Sequence, residues 1–180
     1  VILNAMNETI FRFFNDFALQ NDTLDTVIIF LADKFGLFLI FGLIIFLFTH
    51  NRKEDNIRNI AIIFFSALLA WIIARAIKFF YFSPRPFEAL SDANVLFEYE
   101  TGDSFPSGHA TFFSALATSF YFYHRYLAAI YIAGTLLIGI SRITAGIHWP
   151  LDILAGYALG GFIGYLSYKF LAMQSQNKLK

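Results

Sequence analysis

No cysteine occurs among the 180 residues, which excludes a disulfide framework, a thiolate metal site and thiol redox chemistry. Charge is scarce too: Asp, Glu, Lys and Arg make up 14% of the chain, against roughly a quarter in soluble domains. Thirteen basic and thirteen acidic residues cancel to a formal net charge of zero, which argues against nucleic acid as a partner. The first residues show neither a basic n-region nor an A-x-A-like cleavage site, so no cleaved signal peptide is expected. Met6 is a candidate natural start, with Val1–Ala5 then an addition. No repeat or low-complexity segment stands out.

What is present is hydrocarbon. Hydrophobic residues form 58% of the chain and Phe alone supplies 24, with a mean hydropathy of +0.60. The expected class is an all-α polytopic membrane helix bundle, forming one domain over residues 1–180. Residues 7–18 place Ile10, Phe13, Phe14, Phe17 and Ala18 on one helical face, with Glu8, Arg12, Asn15 and Asp16 largely on the other. That segment is too polar to span and reads as an amphipathic helix lying in the interface. Five spans follow, at about 26–49, 57–82, 105–123, 126–143 and 150–173. The first is long enough for the hydrocarbon core, at roughly 36 Å of helix. Asp33 and Lys34 interrupt it, and Lys34 is read as snorkelling to the near interface, with a buried functional pair as the alternative. The fifth carries Ala155, Gly156, Ala158, Gly160, Gly161 and Gly164, a face where helix backbones approach closely.

Five spans separate the polar segments into two sets. Arg52, Lys53, Arg58, Arg125, Lys169, Lys178 and Lys180 fall on one side; Glu88, Asp92, Glu98, Glu100 and Asp103 fall on the other, in a segment (88–103) read as loop. The basic side is expected to be cytoplasmic.

Three stretches converge on the other, outward side. Lys78 and Arg85-Pro86 flank the end of the second span, where Pro84 and Pro86 push Ser83 and Arg85 out of helical geometry. Pro106-Ser107-Gly108-His109 opens the third span, where free N–H groups and the positive dipole end suit an anion. Gly108 lets a bulky oxyanion come close to the backbone. The last stretch runs from Ser141 to Asp152. Pro150 suits a helix first turn, so Asp152 sits where its carboxylate reaches back toward His148. That arrangement presents a basic Nε2 beyond the ring, and Arg142 adds a fork suited to phosphate oxygens. Taken alone, the same residues also fit an Asp at a helix N-terminus and a His packed at a turn. Lys78, Arg85 and Arg142 near a bilayer without matching carboxylates require a partner. Three cations, a helix N-terminus and two histidines fit phosphate.

In this order and spacing the three stretches resemble the signature of the type 2 phosphatidic acid phosphatase (PAP2) superfamily. The resemblance implies that His148 is a nucleophile forming a phosphohistidine and that Asp152 orients it. His109 is implied to be the general acid and then the base for water. Lys78, Arg85, Ser107, Gly108 and Arg142 are implied to cradle the phosphate. It implies no metal and no cofactor, with a bilayer and a lipid phosphate or diphosphate as partners and no oligomeric state specified. The short chain and its aromatic amphipathic opening further resemble the bacitracin-resistance type of undecaprenyl-diphosphate phosphatase. That likeness implies conversion of undecaprenyl diphosphate to undecaprenyl phosphate at the outer face of a bacterial plasma membrane. Phosphatidylglycerophosphate, phosphatidate and a lipid A phosphate are the alternative substrates.

Two other classes share part of this pattern. A transporter or scaffold that only binds phosphate needs no ordered nucleophile and acid, so His109, His148 and Asp152 argue against it. A vanadate-dependent haloperoxidase shares the anion cradle but is soluble. Arg75, one turn from Lys78, suits a second phosphate as well as an ion pair and is left outside the site. His50 and His124 read as loop residues on the far side, and Trp71 and Trp149 as packing or interfacial anchors.

Overall fold

The computed structural model describes residues 2–49, 54–98 and 102–177. Arg52, Lys53, Lys178, Lys180, His50 and Glu100, named above, lie outside them. Every regular element among the described residues is helical. Helix α1 (Ile2–Asn15) begins five residues before the expected amphipathic segment and stops three residues before its end. It stops in a turn at Asp16–Gln20, with Leu19 at φ 63°. The next helix starts earlier than expected because Asn21 caps it. The Asn21 side chain accepts from the N–H groups of Thr23 (2.9 Å) and Leu24 (3.2 Å), and Asp22 and Asp25 complement the first-turn dipole.

From there α2 (Asp22–Ile29), a π turn (Phe30–Lys34) and α3 (Phe35–Thr49) run as one rod. Within the π turn the Phe35 N–H reaches back five residues to the carbonyl of Phe30, the wide turn that recurs at functional sites. Helix α4 (Glu54–Phe80) is followed by α5 (Pro86–Ala89), a single turn that runs into the first residues of the segment 88–103 expected to be loop. Proline at its first position and the Glu88 carboxylate accepting the Arg85 N–H (2.7 Å) explain that turn. Helices α6 (Gly108–Tyr123), α7 (Arg125–Thr144) and α8 (Pro150–Asn177) complete the chain.

Among the described residues, Asp22–Phe46, Ala61–Phe80 and Arg125–Thr144 are each long and apolar enough to cross a membrane. Helix α6 is shorter than these, at 16 residues. It is the central helix, packed against α8, α7 and α4, so polar groups on it can find partners within the protein. Its Phe113, Leu116 and Phe120 are buried alongside Thr111, Ser114 and Ser119. Two of those hydroxyls meet partners on neighbouring helices: Ser119 lies 3.1 Å from Ser66 of α4, and Ser114 donates to the Tyr157 carbonyl of α8 at 2.8 Å.

The close pair that positions the site is α6 on α8. Gly156, Gly160 and Gly164 repeat every four residues on α8 and lie against the α6 backbone. A Cβ at Gly160 would stand 2.1 Å from the Thr111 carbonyl oxygen, and one at Gly164 would stand 2.7 Å from that of Ala115. Only a hydrogen side chain fits there. On α1, Phe11 is buried against Trp149, with ring centroids 5.1 Å apart, whereas Ile10, Phe13 and Phe17 are exposed. The protein-facing stripe of α1 is therefore Asn7, Phe11 and Asn15, with Phe14 half-buried beside it and Ile10 and Phe13 turned away.

Candidate active site

Helix ends and the turns between them supply the polar groups. Lys78 sits in the last turn of α4, and Pro84 and Pro86 prevent that helix from continuing. Its ammonium donates to the carbonyls of Asp103 (2.5 Å) and Ser104 (2.9 Å). Arg85, buried in the extended cap of α5, donates through Nη1 to the Ile147 carbonyl (2.7 Å) and through Nη2 to that of Asp103 (3.3 Å). Arg142, in the last turn of α7, is fully buried and donates to the Ala32 carbonyl of the π turn at 2.7 Å. Backbone oxygens thus help to orient each of these cations.

After α7 the chain turns at Gly146, whose φ of +84° and 2.1 Å Cβ approach to the Asn94 carbonyl require glycine. The buried Asn15 amide donates to the carbonyls of Asn94 (2.8 Å) and Thr144 (2.9 Å), clamping this turn from the α1 side. His148 and Asp152 follow, both buried. One oxygen of Asp152, Oδ2, accepts from the Trp149 N–H (2.8 Å) and from the Ser104 hydroxyl. The same oxygen lies 3.3 Å from His148 Nδ1. The Ser104 hydroxyl oxygen lies 3.2 Å from the same nitrogen; with Nδ1–H held by this Asp152–Ser104 pair, the lone pair of Nε2 faces the cavity, 3.5 Å from Arg85 Nη1. Burial, and then the positive charges of Arg142, Arg85 and Lys78, hold the His148 pKa well below its ordinary value. The ring is therefore neutral at physiological pH, the state a nitrogen nucleophile requires.

A cavity of about 820 Å³ opens in front of this group. Lys78, Arg85, Gly108, His109, Arg142 and His148 all line it, together with Asp33, Trp71 and Arg75. Two of the residues singled out in the sequence stand behind its wall. Asp152 supports His148 from the rear. Ser107 is fully buried as the cap of α6; its hydroxyl accepts from the Ala110 N–H, and its own N–H donates to the Asp152 carbonyl at 3.0 Å. The N–H groups of Gly108 and His109, in the first turn of α6, are the ones that lie beyond the intrahelical ladder.

Three residues were missed or misread in the sequence. Ser104 completes the Asp152 shell from 48 residues away in sequence, a separation for which no spacing rule exists. Asp33 borders the cavity while paired with Lys34 at 2.8 Å, so the break in the first span belongs to the site region rather than to a snorkelling lysine alone. Arg75 lines the cavity as well, having been left out because one turn of spacing suits an ion pair equally. His124 is the shared cap between α6 and α7 and does not line the cavity.

Fixed cations, a helix N-terminus and a carboxylate-held imidazole around one cavity in a membrane-type helical bundle define a phosphoryl-handling enzyme of the lipid phosphatase class. The chain belongs to the PAP2 superfamily, whose family model matches residues 59–176. It is 32% identical to the bacitracin transport permease protein BcrC of Bacillus licheniformis, over 87% of this chain and 76% of that protein. It is 29% identical to the undecaprenyl-diphosphatase BcrC of Bacillus subtilis strain 168, over 92% of this chain and 84% of that one. Among solved structures it resembles the crystal structure of Aquifex aeolicus LpxE, with a TM-score of 0.75 and 32% identity, covering 91% of this chain and 95% of that chain.

Proposed function

We propose that this protein hydrolyses undecaprenyl diphosphate to undecaprenyl phosphate at the outer face of a bacterial plasma membrane, through a phosphohistidine on His148. The observation that carries the reading is His148 itself, neutral and backed by Asp152, with its free nitrogen turned into a cationic cavity. The Nε2 lone pair attacks the terminal phosphorus, and the bond to the bridging oxygen breaks. That oxygen departs on the lipid phosphate and takes a proton from His109. His109 then activates water, which cleaves the N–P bond and releases inorganic phosphate. Lys78, Arg85, Arg142 and the α6 N-terminus meet the charge developing on the transferred group. Ser107 acts through the cap it provides to that N-terminus. The two BcrC relatives carry names describing transport in one case and hydrolysis in the other. An ordered nucleophile opposite a second histidine favours hydrolysis.

The test is phosphate release by the purified protein in detergent, compared across undecaprenyl diphosphate, phosphatidylglycerophosphate and phosphatidate, with and without excess EDTA. The expected result is fastest turnover of the diphosphate, undiminished by chelation because lysine and arginine supply the positive charge. Phosphate release from none of the three lipids, or activity lost to EDTA and restored by magnesium, would sink the proposal.

In the membrane, α6 and α8 cross together with the three apolar rods, making five spans, and α1 lies in the interface with Ile10, Phe13 and Phe17 toward lipid. Their exposure and the buried Phe11 on the opposite side support that placement. Arg125 and Lys169 stand at the bundle end away from the site, the end that the positive-inside rule makes cytoplasmic, so the site faces outward. In the acidic segment 88–103 on the site side, Asn94 is half-buried and bonded to Asn15, whereas Ser91 is exposed and suits a reporter. In intact spheroplasts, Ser91→Cys is expected to react with a membrane-impermeant thiol reagent, whereas Tyr126→Cys at the opposite turn is expected to stay unlabelled. No native cysteine interferes. The reverse pattern would put the site in the cytoplasm.

A further inference from the structure

We propose that Arg75, seated on Trp71, forms a second subsite of the cavity that takes the lipid-side phosphate of a diphosphate substrate. The inference rests on the diphosphatase reading above and adds to it the residue that distinguishes two phosphates from one.

Arg75 and Lys78 are three residues apart on α4 and share a face. Both line the cavity, but they are held differently. Lys78 is tied to two loop carbonyls. The guanidinium of Arg75 lies over the Trp71 ring, 5.8 Å from its centroid, and no carbonyl or carboxylate among the described residues holds it. The Trp71 ring orients the fork while leaving its N–H groups to a ligand, and a planar fork suits bidentate phosphate contact. The cavity has space for more than one phosphate, since about 820 Å³ is the size of a whole small-molecule site.

The order of groups along α4 carries the argument. Lys78 lies beside the His148 and Arg85 cluster, Arg75 one turn further into the helix, and Trp71 one turn beyond that. Trp71, Asp33, Gly108 and His109 also border a second, apolar groove of about 380 Å³, walled by residues such as Ile40, Phe64 and Phe113. From His148 inward, the wall thus presents a cluster for the attacked phosphate, then Arg75, then hydrocarbon. A polyprenyl diphosphate has the same sequence of parts: terminal phosphate, lipid-side phosphate, apolar chain. When Nε2 of His148 bonds to the terminal phosphorus, the bridging oxygen keeps the electron pair and leaves as part of the lipid phosphate. His109, at the junction of cavity and groove, is placed to protonate that oxygen, and Arg75 to meet the charge spread over the rest of the leaving phosphate. A monophosphate ester offers Arg75 nothing.

The experiment compares wild-type protein with Arg75→Gln and Arg75→Lys, using inorganic diphosphate and orthovanadate as competitive inhibitors of undecaprenyl diphosphate turnover. For Arg75→Gln the inhibition constant of inorganic diphosphate is expected to rise about 10- to 100-fold, the size of one charge-assisted contact. That of orthovanadate, which occupies only the His148 end, is expected to stay within about 2-fold. The kcat/KM for the lipid diphosphate should fall together with diphosphate inhibition. Arg75→Lys, a charge without the fork, should give an intermediate ratio of the two inhibition constants, and it keeps the test intact if the glutamine variant fails to fold. Equal weakening of both inhibitors, or no change in their ratio, would overturn the subsite. If wild-type protein turns over phosphatidate but not undecaprenyl diphosphate, the functional reading above fails. The inhibitor ratio, read against phosphatidate, then still decides whether Arg75 holds a second phosphate.

Discussion

His148→Ala should abolish phosphate release while the protein still elutes as a folded species in detergent. The imidazole is the group that forms and then loses the P–N bond in the proposed mechanism, so no other residue can substitute for it. Loss of a covalent nucleophile in comparable hydrolases costs on the order of 10⁶-fold in kcat. A drop of at least about 10⁴-fold is expected here, with the fixed cations accounting for residual catalysis. The measurement is steady-state phosphate release, paired with a brief incubation with ³²P-labelled substrate and an alkaline quench that preserves phosphohistidine. Wild-type protein should retain label and the variant should not. Burial of His148 behind the cavity wall gives the substitution a packing cost as well, so folding must be checked by elution and by intrinsic tryptophan fluorescence. Retention of even a tenth of wild-type turnover by the folded variant would remove His148 from the nucleophile's role.

Much of this arrangement was legible before any coordinates because the chemistry is concentrated at helix ends, and helix ends are marked by proline and glycine. Pro84 and Pro86 locate the close of α4, and Pro150 locates the opening of α8. From Pro150 the four-residue separation of His148 and Asp152 follows as a local contact, observed at 3.3 Å. Long-range contacts left no such mark. Ser104 reaches Asp152 because the loop before α6 folds back along the start of α8. Its hydroxyl resembles any other loop serine in the sequence. Arg142 finds its acceptor in the Ala32 carbonyl, 110 residues earlier, and although Asp33 and Lys34 mark a break in the span, no residue of Phe30–Lys34 announces a π turn. The sidedness of α1 is a related case. Aromatic residues lie on more than one side of that helix, and periodicity alone does not say whether lipid or protein faces each side. The structure assigns Phe11 to protein and Phe13 and Phe17 to the exterior. Ser107, carried in by a motif, provides the cap of α6, a role that its place before Gly108 does not by itself announce.

Gly160→Ala should destabilise the protein severely and take activity with it, whereas the neighbouring Gly161→Ala should be close to neutral. Both substitutions add one methyl to the same helix, and both gain helix propensity of about 1 kcal/mol. They differ in what the methyl meets. At Gly160 it would stand 2.1 Å from the Thr111 carbonyl oxygen and 3.0 Å from the Ala115 nitrogen, both backbone atoms of α6 that no rotamer change can move. At Gly161 the nearest atoms are the hydroxyls of Thr118 and Ser114 at 3.5 and 3.7 Å, ordinary contacts. Relief at Gly160 requires α8 to withdraw from α6, and overpacking of this kind costs roughly 1–3 kcal/mol or more. Withdrawal also breaks the bond from the Ser107 N–H to the Asp152 carbonyl (3.0 Å) and parts Ser104 from the Asp152 carboxylate. The carboxylate that holds His148 then shifts relative to the α6 N-terminus, and misplacement by about 1 Å is enough to cost roughly 100-fold in rate. The measurement is thermal unfolding in detergent followed by tryptophan fluorescence, alongside phosphate release. A Gly160→Ala protein with wild-type melting temperature and turnover would mean that α6 and α8 are not in backbone contact at this point. The register linking Ser104 to Asp152 would then need another origin.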